Sequence, residues 1–344
     1  MPCCCGAFFI CIFAKTFTLI TASDIVTISS KKEFEKITLK VFRHQYDNNK
    51  VYQDFCSLLK KDKQNVKTIK DIPFLPIQFF KTHDVVSTAQ QVQEIFTSSG
   101  TTGTVASRHL VTDITYYKQS FRSAFSQFYG NIEDYAVLAL LPSYLEREGS
   151  SLIYMVNDLI EGSNNLDSGF YLHNYDELIQ KLITLDNKGQ NVLLIGVTYA
   201  LLNLIEKQQF SLKNTIIMET GGMKGKRREM IREELHSLLC NGFGVNEIHS
   251  EYGMTELLSQ AYSMGNGIFE CPPWMDILIR DTEDALSYID YGKTGGINVI
   301  DLANYNSCSF IATQDLGKKY PNHSFEVLGR FDNSDIRGCN LMIM

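Results

Sequence analysis

An excess of positive charge is absent from this sequence, and so is any long apolar run. The 344 residues include 32 lysines and arginines against 39 acidic residues, which gives a net charge of −7. Because proteins that bind nucleic acids usually present a basic face, this balance predicts no nucleic-acid partner. The apolar run of residues 7–13 is too short to cross a bilayer, and Lys15 interrupts its continuation. The sequence therefore predicts a protein without an integral membrane span.

Paired cysteine spacing is also missing. The chain has nine cysteines, an odd number, and none of them forms a C-x-x-C sequence. Neither a zinc site nor a disulfide framework is indicated, so we expect reduced thiols in a cytoplasmic protein. Four of the cysteines crowd into residues 1–22, a stretch of unusual composition. We interpret this stretch as a disordered or artefactual extension, and a membrane-touching anchor is the alternative interpretation.

One glycine-rich stretch stands out, and it does not end in the Gly-Lys-[Ser/Thr] element of a Walker loop. It consists of Ser98, Ser99, Gly100, Thr101, Thr102 and Gly103. The glycines allow a tight turn and a close approach of the backbone to a ligand, and the hydroxyls lie beside exposed N–H groups. This is the chemistry of a phosphate-binding loop, although an ordinary solvated turn has the same composition.

A second motif is the sequence of Tyr252, Gly253, Met254, Thr255 and Glu256. The glycine permits a sharp turn, an aromatic ring beside it can stack on a base, and the threonine hydroxyl can reach a phosphate. The carboxylate of Glu256 is a suitable Mg²⁺ ligand. The alternative is a plain helix N-terminus in which Thr255 is the cap and Glu256 is favoured by the helix dipole.

Two residues near the end of the sequence complete the set. Asp315 can accept hydrogen bonds from ribose hydroxyls, and Arg330 is a donor fork that suits phosphate or ribose. Their alternatives are a strand-end carboxylate and a turn arginine. Because three nucleotide-type motifs follow one another in order, the sequence predicts an ATP-using enzyme.

The pattern of apolar residues predicts an α/β fold. Apolar runs typical of buried strands alternate with helical patterns up to about residue 270, which indicates a largely parallel sheet covered by helices. After Trp274 the pattern changes to short strands with little helix between them. We therefore predict an α/β core over residues 23–270, a β-rich subdomain over 271–330 and a short tail over 331–344.

One helix is predicted in detail, over residues 226–240, with Gly242 just past its end. Its predicted inward face consists of Met230, Ile231, Leu235, Leu238 and Leu239.

Taken together, these motifs resemble those of the adenylate-forming (acyl-activating) superfamily. The glycine-rich stretch is similar to its phosphate loop, and residues 252–256 match its Y-G-x-T-E motif. Gly221 and Gly222 fall where its adenine-contacting segment would be. Asp315 and Arg330 resemble its ribose aspartate and its hinge. The resemblance implies the mixed sheets and covering helices of that superfamily's N-terminal domain, with ATP and Mg²⁺ as cofactors.

Within the superfamily the chain is most similar to the LuxE-type acyl-protein synthetases, from about residue 24 to the end. Residues 72–76, 140–147 and 335–340 are typical of that family. Only fourteen residues follow Arg330, so we expect the mobile C-terminal domain of other superfamily members to be missing. The resemblance then implies that Cys339 accepts the acyl group, while a buried or idle thiol is the alternative.

The resemblance implies activation of a carboxylic acid, a fatty acid in this family, as an acyl-adenylate and transfer of the acyl group to a protein thiol. An acyl-reductase or acyl-transferase is the partner protein that it implies. Two other functions stay open from the sequence. One is activation of an aryl acid, as in phenylacetate-CoA ligases, onto a separate thiol carrier. The other is a non-catalytic nucleotide-binding scaffold in a reductase or transferase complex.

Overall fold

The computed structural model describes residues 19–98, 105–142, 148–172, 174–221 and 230–331. The helices in these ranges are α1 (Ala22–Val26), α2 (Lys31–Asn48), α3 (Lys50–Leu58), α4 (Phe79–Thr82), α5 (Thr115–Tyr129), α6 (Ser151–Gly162), α7 (Tyr175–Asn187), α8 (Thr198–Lys207) and α9 (Arg232–Phe243). Short 3₁₀ turns occur at Ile69–Asp71, Ile132–Asp134 and Leu302–Asn304. No helix within the described ranges combines the length and the apolar character needed to cross a membrane.

The strands are numbered in chain order. They are β1 (Leu75–Pro76), β2 (Glu94–Thr97), β3 (Arg108–Val111), β4 (Tyr135–Leu140), β5 (Gly169–Tyr171), β6 (Asn191–Val197), β7 (Thr215–Thr220), β8 (His249–Tyr252), β9 (Ala261–Ser263), β10 (Ile268–Glu270), β11 (Met275–Arg280), β12 (Gly295–Asp301), β13 (Phe310–Lys319) and β14 (Phe325–Arg330).

Twelve of these strands form one mixed sheet, in the order β11-β12-β13-β14-β10-β9-β8-β7-β6-β4-β5, with β1 added beside β13. Neighbouring strands among β4 to β8 run parallel, whereas β8 is antiparallel to β9 and the neighbouring strands from β9 to β14 run antiparallel. The parallel strands read as continuous apolar runs because both faces of the sheet are covered there. In β6, for example, every residue after Asn191 is buried. The predicted α/β fold class is confirmed.

The short strands that follow Trp274 with little helix between them lie in the antiparallel part of this sheet. The predicted α/β core ends with β10, and β10 is hydrogen-bonded to β14 of the predicted β-rich subdomain. One sheet therefore runs across the boundary that we predict at residue 270. The predicted domain limits at residues 270 and 330 stay predictions.

The N-terminal helices are fastened to the distant antiparallel strands by a buried glutamine. Gln45 on α2 donates from Nε2 to the carbonyls of Asn304 and Tyr305 at 2.9 and 3.0 Å, and its Oε1 accepts from the Ser309 amide at 2.9 Å. Nearby, β1 pairs in parallel with β13, where Leu75 lies opposite Ile311. Residues from both ends of the described chain therefore share one core.

The helix predicted over residues 226–240 differs from the structure in its bounds and in its buried face. The helix expected over residues 226–240 is α9, which begins at Arg232 in the described residues. Ile231 lies before it, with 68% of its surface exposed, and Leu238 is also exposed. Only Leu235 and Leu239 of the predicted face are buried among the helical residues. The helix ends at Gly244 rather than before Gly242, because Gly244 takes the left-handed conformation that ends helices (φ 68°).

The predicted extension, residues 1–22, is too long at its C-terminal end. Ile20 and Ala22 are buried in the core, and the Ile20 carbonyl accepts a hydrogen bond of 2.6 Å from the Tyr116 hydroxyl. Thr21 caps α1 by accepting from the Asp24 amide. Packing therefore includes residues 20–22, and residues 1–18 lie outside the described ranges.

We expect Ile20→Asp to lower the free energy of unfolding by about 2–4 kcal/mol, because it places an unpaired charge in the core. The matched control is Leu19→Asp, since 64% of Leu19 is exposed; its effect should stay within about 0.5 kcal/mol. Urea unfolding of both variants measures the difference. Equal stability of the two variants would show that Ile20 is not a core residue.

Candidate nucleotide-binding site

Several predicted site residues lie at one edge of the sheet, where parallel strands end. The strands β6, β7 and β8 run in register, and Thr220 lies opposite Glu251. Gly221 and Tyr252 therefore follow at the carboxyl ends of neighbouring strands. In open α/β sheets this edge is where ligands bind.

Local geometry at this edge requires two of the glycines. Gly221 has a φ of +68°, a conformation that side chains disfavour, and its carbonyl accepts a 2.6 Å hydrogen bond from the Thr198 hydroxyl. A side chain at Gly253 would bring a Cβ within 2.4 Å of Glu251 Oε1. The backbone at both positions can thus come close to another group. Gly222 lies outside the described residues.

The glycine-rich stretch connects β2 and β3, which form a separate antiparallel hairpin. The Ser98 amide donates to the Ser107 carbonyl at 3.1 Å, and the Ser107 amide donates to Ser98 Oγ at 2.8 Å. These two residues hold the ends of the stretch together. The predicted phosphate-contacting residues Ser99, Gly100, Thr101, Thr102 and Gly103 lie outside the described residues, so their role stays a prediction.

The segment that carries Met254, Thr255 and Glu256 is not the start of a helix. It passes into a turn and then reaches β9, which excludes the alternative in which Thr255 is a helix N-cap. Its backbone is held by buried side chains instead. The Thr255 carbonyl is 2.9 Å from Nδ1 of His109, and the Glu256 carbonyl accepts from Asn304 Nδ2 at 2.7 Å.

Glu256 is buried and lies beside the ends of the glycine-rich stretch. The Ser107 side chain lies beside its carboxylate. Burial raises the pKa of Glu256 above its usual value, while the Ser107 side chain, the backbone amide of Glu256 itself and the charges of Arg330 and Lys81 act to lower it. Among the described residues no basic group comes within salt-bridge distance of it. Two motifs that are about 150 residues apart in the sequence thus meet at one buried carboxylate.

Asp315 and Arg330 form a third part of the site. They lie opposite each other on β13 and β14, and Arg330 Nε donates to Asp315 Oδ1 at 3.1 Å. The Tyr252 hydroxyl donates to the other carboxylate oxygen at 2.8 Å. Asp315 is buried, whereas 78% of the Arg330 side chain is exposed. The arrangement connects the Y-G-x-T-E segment with the predicted hinge.

The Tyr252 ring is less available than its motif suggests. It is buried and packs at large angles against Phe269 and Phe325, with ring centroids 6.0 and 5.8 Å away. Burial and the neighbouring Asp315 carboxylate raise the pKa of Tyr252 well above its usual value. The tyrosine therefore acts here as a neutral hydrogen-bond donor, and base stacking by its ring stays a prediction.

A pair of carboxylates, Glu219 on β7 and Glu251 on β8, is not among the predicted site residues. Glu219 is buried, but the neighbouring His236 ring, whose Nε2 lies 3.7 Å away, and the charge of Arg232, whose Nη1 lies 2.8 Å away, outweigh that burial and lower its pKa. Glu251 accepts a 2.5 Å hydrogen bond from Thr220, and burial raises its pKa to about 7, with a further contribution from the Glu219 charge. The position of Glu251 directly before Tyr252 was the available signal.

Comparison with known families places these features in context. The family model described as "Acyl-protein synthetase, LuxE" matches residues 14–129 and 165–344. A long-chain-fatty-acid–luciferin-component ligase of Photorhabdus luminescens is 36% identical over 89 residues, which are 25% of this chain and 76% of that protein. The match to the family model extends over most of the chain.

Solved structures share the fold at low sequence identity. ATP-bound MatB from Rhodopseudomonas palustris is 18% identical, with a TM-score of 0.53 over 71% of this chain and 49% of MatB. An open conformation of 2-hydroxyisobutyryl-CoA ligase in complex with 2-HIB-AMP and CoA is 11% identical, with a TM-score of 0.64 over 88% of this chain and 71% of that ligase. The chain spans about half the length of MatB.

The raised pKa of Glu251 predicts a pH-dependent effect of Glu251→Gln. A carboxyl group whose pKa is about 7 in the fold and near 4.3 in the unfolded chain stabilises the fold fully below pH 4.3. That contribution is lost as the pH rises through 7. Glu251→Gln should therefore be more stable than the parent protein at pH 8.5, by on the order of 2–4 kcal/mol, and nearly equal to it at pH 4.

Urea unfolding at the two pH values measures this difference. The control is Glu247→Gln, which changes an exposed carboxylate on the same part of the chain and should show no such pH dependence. A constant difference between Glu251→Gln and the parent at both pH values would contradict the prediction.

Proposed function

The chain belongs to the acyl-protein synthetase (LuxE) family, and from that premise we propose that it is an ATP-dependent ligase that activates a carboxylic acid and passes the acyl group to a thiol. The observation that carries this proposal is the position of Glu256. It is a buried carboxylate without a salt bridge among the described residues, and it lies beside the Ser98–Ser107 pair that closes the glycine-rich stretch.

The surroundings of Glu256 fit Mg²⁺. This ion is usually bound by one or two carboxylates together with substrate phosphates and waters, rather than by a cage of protein ligands. The described residues contain no group of three or more His, Cys, Asp or Glu side chains that could hold a metal by themselves. We propose that Glu256 supplies the protein ligand and that Ser98, Ser99, Gly100, Thr101, Thr102 and Gly103 bind the phosphates.

The ribose end of the nucleotide is assigned to Asp315 and Arg330, and its base to the strand ends at Gly221, Gly222 and Tyr252. The first reaction joins the carboxylate oxygen of the acid to the α-phosphorus of ATP and releases pyrophosphate. In the second, a thiolate attacks the acyl carbon, a thioester forms and AMP leaves. A carboxylate is a poor acyl donor, and adenylation supplies the leaving group that this transfer needs.

The thiol acceptor is proposed to be Cys339, which lies outside the described residues. A thiolate is the attacking species, so a raised pKa disfavours a cysteine for this role. Burial raises the thiol pKa of every cysteine in the described ranges, namely Cys56, Cys240, Cys271 and Cys308. The raised pKa values disfavour these four thiols as the acceptor, and the family resemblance points to Cys339.

The finer parts of the proposal concern substrate and partner. The named relative from Photorhabdus luminescens is a long-chain-fatty-acid ligase, which supports a fatty acid as the substrate here. We also propose a cytoplasmic location and an acyl-reductase or acyl-transferase partner that takes the acyl group from the thioester.

Glu256→Gln should reduce ATP–pyrophosphate exchange by on the order of 10²-fold, because a neutral amide no longer offers the charge that holds Mg²⁺. Exchange is measured with a panel of fatty and aryl acids, which also identifies the acid class. Glu270→Gln, at an exposed position on β10, is the control and should keep the parent rate. Undiminished exchange in Glu256→Gln would remove Glu256 from the proposed site.

Cys339→Ser should keep ATP–pyrophosphate exchange and lose the thioester label from radioactive fatty acid, which hydroxylamine releases. The serine leaves adenylation intact but is a much weaker nucleophile than a thiolate. Cys240→Ser, which changes a half-buried thiol, serves as the control and should still be labelled. Full labelling of Cys339→Ser would assign the acceptor to another cysteine.

A further inference from the structure

The segment from Thr255 to Ser259 has an unusual means of support. It is neither a helix nor a strand, so its backbone groups have no regular partners. Three buried side chains take their place. His109 and Asn304 bind the consecutive carbonyls of Thr255 and Glu256, and Asp301 accepts from the next two free amides, those of Leu258 and Ser259, at 2.7 and 2.9 Å.

The contact of His109 determines its protonation state. A carbonyl oxygen only accepts hydrogen bonds, so Nδ1 of His109 must carry the proton in its 2.9 Å contact with Thr255. Burial lowers the pKa of His109 to about 4, which leaves the ring neutral, with Nε2 unprotonated. Within the described residues Nε2 has no hydrogen-bond partner. Among the described residues, the buried His109 ring thus makes a single polar contact, the one with the Thr255 carbonyl.

Ser107, which lies beside Glu256, directly precedes β3, the strand that carries His109. Ser107 and His109 are two residues apart in extended chain, so their side chains point to the same side. The Ser107 side chain lies beside the Glu256 carboxylate, and the His109 ring reaches the carbonyl of the preceding residue. The hairpin that holds the glycine-rich stretch therefore fixes both the carboxylate and the peptide that carries it.

We propose that His109 is a positioning residue for metal-dependent nucleotide binding: its Nδ1–H fixes the Thr255–Glu256 peptide and so places the Glu256 carboxylate beside the Ser98–Ser107 pair. This inference rests on the proposed function. His109 acts through Glu256 and touches neither nucleotide nor metal. Partners that orient a metal ligand in this way typically change metal affinity by 10-fold to 100-fold when they are replaced.

The test uses binding rather than turnover. The affinity of the full chain for α,β-methylene-ATP is measured by calorimetry with and without Mg²⁺, and the ratio is the gain that the metal provides. In His109→Asn the amide nitrogen stands near the position of Nδ1, while in His109→Gln it stands near that of Nε2. The gain should be retained in His109→Asn and fall about 10-fold to 100-fold in His109→Gln, with the metal-free affinity unchanged in both.

A double-mutant cycle separates positioning from general damage. If His109 acts through Glu256, then His109→Gln combined with Glu256→Gln should lose no more of the gain than Glu256→Gln alone. The control is Thr112→Val, which removes a buried hydroxyl that has no hydrogen-bond partner in the described residues and should leave the gain unchanged. Additive losses, or an unchanged gain in His109→Gln, would overturn the inference.

If the variants at position 109 fold poorly, Asn304→Ala provides a second test of how the Thr255–Glu256 peptide is held. It frees the Glu256 carbonyl and should also reduce the gain, and an unchanged gain in a folded Asn304→Ala protein would overturn the inference. Failure of the proposed function has a different signature. The parent protein would then show neither a metal-dependent gain nor ATP–pyrophosphate exchange, and both proposals would fall together.

Discussion

The Asp301 carboxylate holds together the sheet edge at which the predicted motifs meet. It is fully buried and accepts hydrogen bonds from the amides of Leu258, Ser259 and Ala303 and from the Ser259 hydroxyl. The Ser259 hydroxyl in turn accepts from the indole N–H of Trp274 at 3.1 Å. Burial raises the pKa of Asp301 to about 6, and the four donors oppose that rise. The segment after Glu256 is therefore held by the end of β12.

Asp301 and Glu256 are both buried carboxylates, but they differ in how far the fold compensates their burial. Both are buried, and burying a charge is costly unless hydrogen bonds or counter-charges replace its hydration. Asp301 receives three backbone donors and a hydroxyl, so its needs are met within the fold. For Glu256, the Ser107 side chain, its own backbone amide and the charges of Arg330 and Lys81 lower the pKa less than burial raises it. A carboxylate whose burial is only partly compensated suits a cation, which is the physical basis of its proposed role.

The sequence predicts best those features that depend on neighbouring residues. The apolar runs of β4 and β6 indicate their strands because burial on both faces leaves a continuous signal. The motif at residues 252–256 is recognisable in the sequence because its members are adjacent in the chain, and its role in nucleotide binding stays a prediction. The end of α9 was misplaced because Gly242 and Gly244 are equally good stop signals, and only Gly244 has the left-handed conformation.

The support of the site could not be predicted in the same way. His109 meets Thr255 across 146 positions, and Asn304 meets Glu256 across 48. Neither residue belongs to a motif, and a lone buried histidine has the same sequence signal whether it positions a loop or fills a core. Thr255 as a helix cap was excluded for a related reason, because Asp301 and Asn304 provide the hydrogen bonds that a helix would otherwise supply.

The hydrogen bonds of Gln45 on α2 with the residues that follow β12 have a consequence for how the chain folds. Gln45 forms hydrogen bonds with partners that lie 259 to 264 positions later in the sequence. Strand β1 likewise pairs with β13, which is made much later. Contacts of such long sequence separation close large loops and form slowly. During synthesis the N-terminal helices leave the ribosome well before their partners do, and they expose apolar surface during that interval. Shielding by a chaperone is therefore most useful to this protein until β13 has been made.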